Sequence, residues 1–302
     1  MRSQRYESID QFRGFAILSM VLVNVLGRFA VMPETFRHAR FESLSFADSV
    51  APFFFFIVGV GFRLAFLRNQ TESGTASALA LMFKRCLLLM LIGVFVYHFN
   101  ARRIFWDALT QIGFGGIIAL PVIGAENIFY RAVWPLIYAA LLLFIGNIRF
   151  HGAPLEIESA TWPLLILMGS LAADWIKDSR RNFTSKSSVS GTAILICGLI
   201  VYWLVPGVVA ACALVYLGLS FLLFVVFYYL TDVWKRPLPH LTTLGRNALI
   251  VYILHYYIED DMRKLIPDNA GFSAAVLAFS VVYVGCYATA KYLETRKYFI
   301  TV

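Results

Sequence analysis

Asp10, Arg13, Asn24, His38 and Asp48 stand within or between two apolar, membrane-length runs near the N-terminus. Ionisable and amide groups are expensive in hydrocarbon, so a set of them held there marks a place where a ligand is bound or a proton is moved. The residue types suit such work. A histidine exchanges protons near neutrality, and arginines give charge-assisted hydrogen bonds to phosphates or carboxylates.

Spacing sharpens the pattern. Read as a helix, the first run places Arg13 and Asn24 eleven residues apart, so they share a face with a rise of roughly 16 Å. Asp10 precedes Arg13 by one turn on that face. The second run opens on Asp48 and reaches Arg63 near its far end, and Pro52 is expected to weaken its first turns because it cannot donate a backbone hydrogen bond. Nearer the C-terminus, Asn247 and His255 bracket another apolar run, in which Ala248, Tyr252 and His255 recur at i, i+4 and i+7. Lys84 and Arg85 fall within a further run, 79–98.

Each residue also has a structural reading. Arg13, Arg63, Lys84 and Arg85 can snorkel to headgroups. Asn24 and Asn247 can join helices. Asp48 can cap its helix, His255 can be an interior histidine, and His38 a loop residue. The run Glu259, Asp260, Asp261 reads as a solvated outer loop.

The elements that must position these groups follow from composition. Of the 302 residues, 60% are hydrophobic and 15% charged, against about half and a quarter in soluble chains. The expected fold class is all-α, a polytopic membrane protein forming a single domain over residues 1–302. About ten transmembrane helices are expected, over 12–30, 47–67, 79–98, 107–125, 129–147, 160–177, 189–205, 208–230, 241–258 and 271–290, each near the roughly 20 residues that span hydrocarbon. With the N-terminus in the cytoplasm, most of the 26 Lys and Arg fall on cytoplasmic segments, so both termini are expected there. The longest polar connections are 68–78 and 177–188. The first run lacks a small-residue cleavage site and is expected to stay as a membrane helix.

The net charge of +8 is explained by those cytoplasmic segments, and no nucleic-acid partner is expected, because basic clusters interleaved with aromatics are missing. Cys86, Cys197, Cys212 and Cys286 lie in apolar runs without metal-ligand spacing, so no metal is expected.

The first seventy residues resemble the transmembrane acyltransferase family that includes heparan-α-glucosaminide N-acetyltransferase and its bacterial relatives. The resemblance rests on Ser8, Asp10, Phe12, Arg13 and Gly14 in a Ser-x-Asp-x-Phe-Arg-Gly pattern, on Val23-Asn24, on His38, and on Ala47, Asp48, Val50, Pro52, Phe56 and Gly59. Gly245, Asn247, Tyr252 and His255 match a second family pattern, and Lys84, Arg85 and Cys86 resemble the start of the family's next helix. Where the family often carries Trp-Asn-Gly after the loop histidine, this chain has Phe41, Glu42 and Ser43, a departure that bears on the acceptor.

The resemblance implies an acetyltransferase that carries acetyl groups from cytosolic acetyl-CoA to an amino or hydroxyl group of a sugar or cell-envelope glycan acceptor on the far side of a membrane, a bacterial cytoplasmic membrane by this reading. It implies His38 as catalytic base, Asn24 as oxyanion donor, Asp48 as the carboxylate that orients the imidazole, and His255 as a second acid/base or acceptor-binding group. Arg13, Arg63 and Arg85 are expected to meet the CoA phosphates, with Asp10 and Asn247 at the same mouth. Direct transfer and an acetyl-His38 intermediate both remain open. Membrane lipids are the surrounding partner, and exposed aromatic helix faces leave room for a homodimer. The competing class is a secondary transporter or flippase, whose midplane polar residues bind solute; it predicts flux without CoA.

Overall fold

A computed structural model describes residues 5–39, 43–97, 107–146, 161–205 and 209–299, with the side chains of 142–146 outside the description. The regular structure of the described residues is helical, without a strand: α1 (Glu7–Leu26), α2 (Phe46–Ser73), α3 (Thr75–Tyr97), α4 (Ala108–Ile123), α5 (Ile128–Gly146), α6 (Trp162–Asp178), α7 (Arg180–Leu204), α8 (Val209–Tyr228), α9 (Pro239–Arg246), α10 (Ala248–Leu265) and α11 (Phe272–Thr295). Six helices are long and apolar enough to cross a membrane: α1, α2, α3, α7, α8 with its extension to Val233, and α11; α4 and part of α5 are shorter apolar helices. The outer faces of α3, α7 and α11 carry exposed apolar side chains such as Phe95, Trp203 and Val284, as helices surrounded by lipid require.

The chain divides into two compact units, Phe55–Val225 and Arg5–Phe54 with Val226–Thr301. In the first, α2 and α6 touch backbone to backbone. A Cβ built on Gly59 would stand 2.1 Å from the Ile166 carbonyl oxygen, and one on Gly169 would stand 2.0 Å from that of Phe56, so only glycines permit the approach. Phe56 packs on Phe221 with ring centroids 4.8 Å apart, and Phe55 stacks on Trp162 at 4.5 Å.

The polar stretches expected as loops at 68–78 and 177–188 are mostly helix. Gly74, at φ +84°, makes the turn between α2 and α3, a conformation open to glycine at little steric cost. Ser179 makes the second turn, its Oγ accepting the Asn182 amide at 3.1 Å as the N-cap of α7. Polarity there reflects solvated helix ends rather than irregular chain. Pro52 likewise leaves α2 unbroken.

In the second unit, α1 and α9 cross at equally close range. A Cβ on Gly14 would stand 1.9 Å from the Leu241 carbonyl oxygen, and one on Gly245 would stand 1.8 Å from that of Asp10. The expected continuous helix 241–258 is broken: Asn247, at φ −120° and ψ 31°, ends α9 and starts α10. Its buried amide donates to the Ala290 carbonyl of α11 at 3.3 Å. α8 closes in a π-turn, Tyr229–Val233. The turn carries Asp232, whose carboxylate accepts the Glu7 and Ser8 amides at 3.0 and 3.2 Å. A carboxylate on the first N–H groups of α1 is favourable for the helix dipole.

Candidate active site

The start of α2 sets the first pair. Ser45 Oγ accepts the Asp48 amide at 3.0 Å and Thr35 Oγ1 accepts that of Phe46 at 3.3 Å, so hydroxyls cap the helix. The Asp48 carboxylate, 4% exposed as a residue, turns to the preceding loop. Its Oδ1 lies 2.9 Å from His38 Nδ1, and its Oδ2 accepts the Ala39 amide at 3.0 Å. A carboxylate on Nδ1 selects the tautomer with its proton there, which leaves the Nε2 lone pair to accept one. The His38 side chain is 57% exposed, so the imidazole is reachable while its orienting carboxylate is dry.

The loop that carries His38 is tied down by arginines. Arg28 donates to the Met262 and Ile266 carbonyls at 3.4 and 3.0 Å and to Asp268 at 3.0 Å, so it caps the C-terminal end of α10. Its guanidinium also covers the Phe29 ring at 4.3 Å. Arg37 closes the loop on itself, one guanidinium nitrogen donating to the Phe29 and Ala30 carbonyls at 3.3 and 3.1 Å.

Asn24, near the end of α1, meets α10. Its Nδ2 lies 3.1 Å from Nε2 of the buried His255. With the amide donating, the neutral imidazole accepts on Nε2, and the second N–H of Asn24 remains for another acceptor. Asn24 and His38 line one cleft of about 650 Å³, together with Arg28, Arg37, Glu259 and Arg263.

Glu259 was expected in a solvated loop. The structure corrects that: α10 runs ten residues past His255, and Glu259 lies one turn beyond it on the same face, 5% exposed. Arg263 holds its carboxylate at 2.6 Å. Extending the register of Tyr252 and His255 by one further turn points to it. Arg28 left no such signal, because its partners, two backbone carbonyls and Asp268, lie more than 230 positions away.

The other sequence-derived residues fall elsewhere. Asp10 is a hub for Arg5 at 2.6 Å and for Arg13 and Arg246, each at 3.7 Å. Arg13 also donates to the Gly245 carbonyl at 3.2 Å, beside the break at Asn247. Arg63 and Arg85 belong to the unit Phe55–Val225. Arg63 is buried, donating to Asp174 at 2.9 Å and to the Ile123 carbonyl at the end of α4 at 2.6 Å. Arg131 grips the other oxygen of Asp174 and the Ser170 hydroxyl. Arg63 is thereby committed to a clamp among α2, α4, α5 and α6. Arg85 is half-buried on α3. Phe41 and Glu42, the departure from the family pattern, lie outside the described residues.

Comparison with known proteins adds two findings. The profile of the family described as heparan-alpha-glucosaminide N-acetyltransferase, catalytic, matches residues 5–185. A relative from Bacillus acidopullulyticus, named "Uncharacterized 39.9 kDa protein in amylase 3'region", is 31% identical over 178 residues, which is 57% of this chain and 46% of the relative. The chain thus spans about half the length of that relative. The profile match takes in Asn24, His38 and Asp48, while Asn247 and His255 lie beyond it.

Proposed function

Since the chain belongs to the heparan-alpha-glucosaminide N-acetyltransferase catalytic family, an acyltransferase family of membrane proteins, we propose that it moves the acetyl group of acetyl-CoA to an amino or hydroxyl group of a glycan acceptor. The observation that supports this most is the His38–Asp48 hydrogen bond at the edge of a cleft shared with Asn24.

In this reading His38 Nε2 takes the proton of the acceptor N–H or O–H as that atom attacks the thioester carbonyl. The free N–H of Asn24 stabilises the oxyanion. The C–S bond then breaks, and the CoA sulfur leaves with the proton that His38 returns. Asp48 stabilises the imidazolium between the two transfers. His255, expected as a second acid/base or an acceptor-binding group, acts in this reading by accepting one N–H of Asn24 and so fixing the other.

Contacts with CoA are proposed for Asp10, Arg13 and Asn247 near the α9–α10 break, and for Arg85 on α3, where cationic groups suit phosphates. Arg63 serves by holding its helix. The ten-span arrangement with both termini cytoplasmic in a bacterial cytoplasmic membrane, and the reading of residues 1–302 as one catalytic domain, belong to the same proposal. They place donor and acceptor on opposite sides.

The test is direct. Purified protein is titrated with radiolabelled acetyl-CoA, then reconstituted in proteoliposomes loaded with candidate sugar acceptors. Saturable binding and label transfer to an acceptor are expected; solute flux with no CoA binding supports the transporter class instead.

A further inference from the structure

The cations at one end of the second unit fall into two groups. Asp232 on the first amides of α1, and Arg246 between Glu7 at 3.8 Å and Glu294 at 3.0 Å, bring together the end of α8, the start of α1 and the end of α11. Arg5 and Arg13 pair with Asp10 at 2.6 and 3.7 Å, and Lys291 with Glu294 at 2.8 Å. Glu7, Asp10, Asp232 and Glu294 are thereby engaged. Lys235, Arg236, Arg296 and Lys297 are exposed, and among the described residues no carboxylate pairs with any of them. Two of these four hold an unusual backbone. Lys235 at φ 53° and Lys297 at φ 59° are the non-glycine residues in the left-handed region among those described, where a β-carbon is disfavoured and glycine is at ease. Each ends a helical segment in the same way. The amide of the following residue folds back, Arg236 donating to the Leu230 carbonyl at 2.8 Å and Tyr298 to that of Leu293 at 2.9 Å. Each lysine also stands next to an exposed ring, for Trp234 is 60% exposed and Tyr298 66%.

We infer that these two helix ends, Trp234-Lys235-Arg236 and Arg296-Lys297-Tyr298, are seats for the headgroups of anionic phospholipids. The inference does not depend on the acetyl-transfer reading. A glycine at either lysine position would make the turn at less steric cost. What the lysine adds is an ammonium just past the helix end, with a guanidinium on the neighbouring residue. Both groups bind phosphate oxygens. The rings favour a lipid over a soluble anion. α1, α11, and α8 with its extension to Val233 are long and apolar enough to cross a membrane, so their ends lie where hydrocarbon meets headgroups, a level that Trp and Tyr prefer. A headgroup phosphate meets these cations without competition from a described carboxylate, and each basic residue adds attraction to an anionic lipid surface.

The experiment reads tryptophan quenching by lipids brominated on their acyl chains, which quench at contact. The full-length protein is reconstituted in phosphatidylcholine vesicles that carry a minor fraction of brominated phosphatidylglycerol or, separately, of brominated phosphatidylcholine. The difference between native and Trp234→Phe protein isolates the first seat. Tyr298→Trp, made in Trp234→Phe protein and compared with that parent, reports on the second. At each reporter phosphatidylglycerol should bind at least about five-fold more strongly than phosphatidylcholine, the factor that one basic residue near a membrane surface supplies. Lys235→Gly should lower the preference at the first reporter and Lys297→Gly at the second, with melting temperatures equal to the native one or higher, because glycine keeps both turns. Arg236→Gln and Arg296→Gln, which leave the left-handed residues in place, should lower it likewise. Inorganic phosphate or acetyl-CoA, added at matched ionic strength, should leave the preference unchanged. Equal quenching by the two lipids at either reporter, or a preference that neither the glycine nor the glutamine variants reduce, overturns the inference. So does displacement by phosphate or acetyl-CoA, which would mark a site for a soluble anion.

Discussion

Asn24 Nδ2 stands 3.1 Å from His255 Nε2, joining α1 to α10 across 231 positions of sequence. The contact gives each residue a use that neither has alone. His255 is a buried acceptor satisfied by an amide, and Asn24 is an amide with one N–H fixed and one to offer.

Replacing Asn24 by Ala should therefore lower kcat about 10²–10³-fold, the cost of removing one oxyanion donor, with little change in acceptor KM. His255→Ala should lower kcat by a smaller factor. His255→Gln should recover part of the loss, because a Gln carbonyl oxygen can accept the same N–H. Steady-state kinetics on the three variants checks this, and equal losses in His255→Ala and His255→Gln would contradict the positioning role.

The start of α2 separates stability from chemistry. Ser45→Ala removes a cap and should cost about 0.5–2 kcal/mol, read as a lower melting temperature with turnover per folded molecule nearly unchanged. Asp48→Asn keeps the shape but lets an amide N–H face His38 Nδ1, which favours the wrong tautomer. By analogy with other carboxylate–histidine pairs, turnover should fall by up to about 10⁴-fold.

The crossing of α1 and α9 leaves no room for a methyl group. Gly14→Ala and Gly245→Ala each place a Cβ within 2 Å of a backbone oxygen, and neither backbone can rotate away as a side chain would. Each should destabilise by about 1–3 kcal/mol or more, measured by thermal melting in detergent. Acetyl-CoA affinity should fall with it if Asp10, Arg13 and Asn247 meet the donor, since both glycines set their spacing.

In the unit Phe55–Val225, Asp174 holds two arginines. Asp174→Asn takes from Arg63 and Arg131 their shared ion-pair partner in a largely buried site, and breaking such a pair costs about 3–5 kcal/mol. A large drop in melting temperature is expected. A melting temperature equal to the native one would show that the clamp is not structural.

Much of this was legible in the residues. Hydropathy located most of the apolar helices, residue type with spacing drew attention to Asn24, Asp48 and His255, and the family resemblance to His38; the structure joins their hydrogen bonds in pairs. Less visible were features that depend on contacts distant in sequence. Arg63 resembled a free cation because Asp174, 111 positions away, is its partner. Asp232 gave no hint that it caps α1, since only the π-turn after α8 brings it there. Glu259 was hidden by two neighbouring carboxylates, which imitate a solvated loop until the helix register is carried past His255. The break at Asn247 was also hidden, because apolar residues continue on both sides of it.

The most direct measurement compares native protein with His38→Ala in proteoliposomes supplied with radiolabelled acetyl-CoA and a hexosamine acceptor, with melting temperatures taken alongside. A half-exposed loop histidine should tolerate alanine without loss of fold, so the melting temperatures should agree. Label transfer should drop by about 10²–10⁴-fold, as removal of a general base requires. A folded His38→Ala protein that transfers acetyl groups at the native rate would contradict the assignment of His38 as the residue that takes the acceptor's proton.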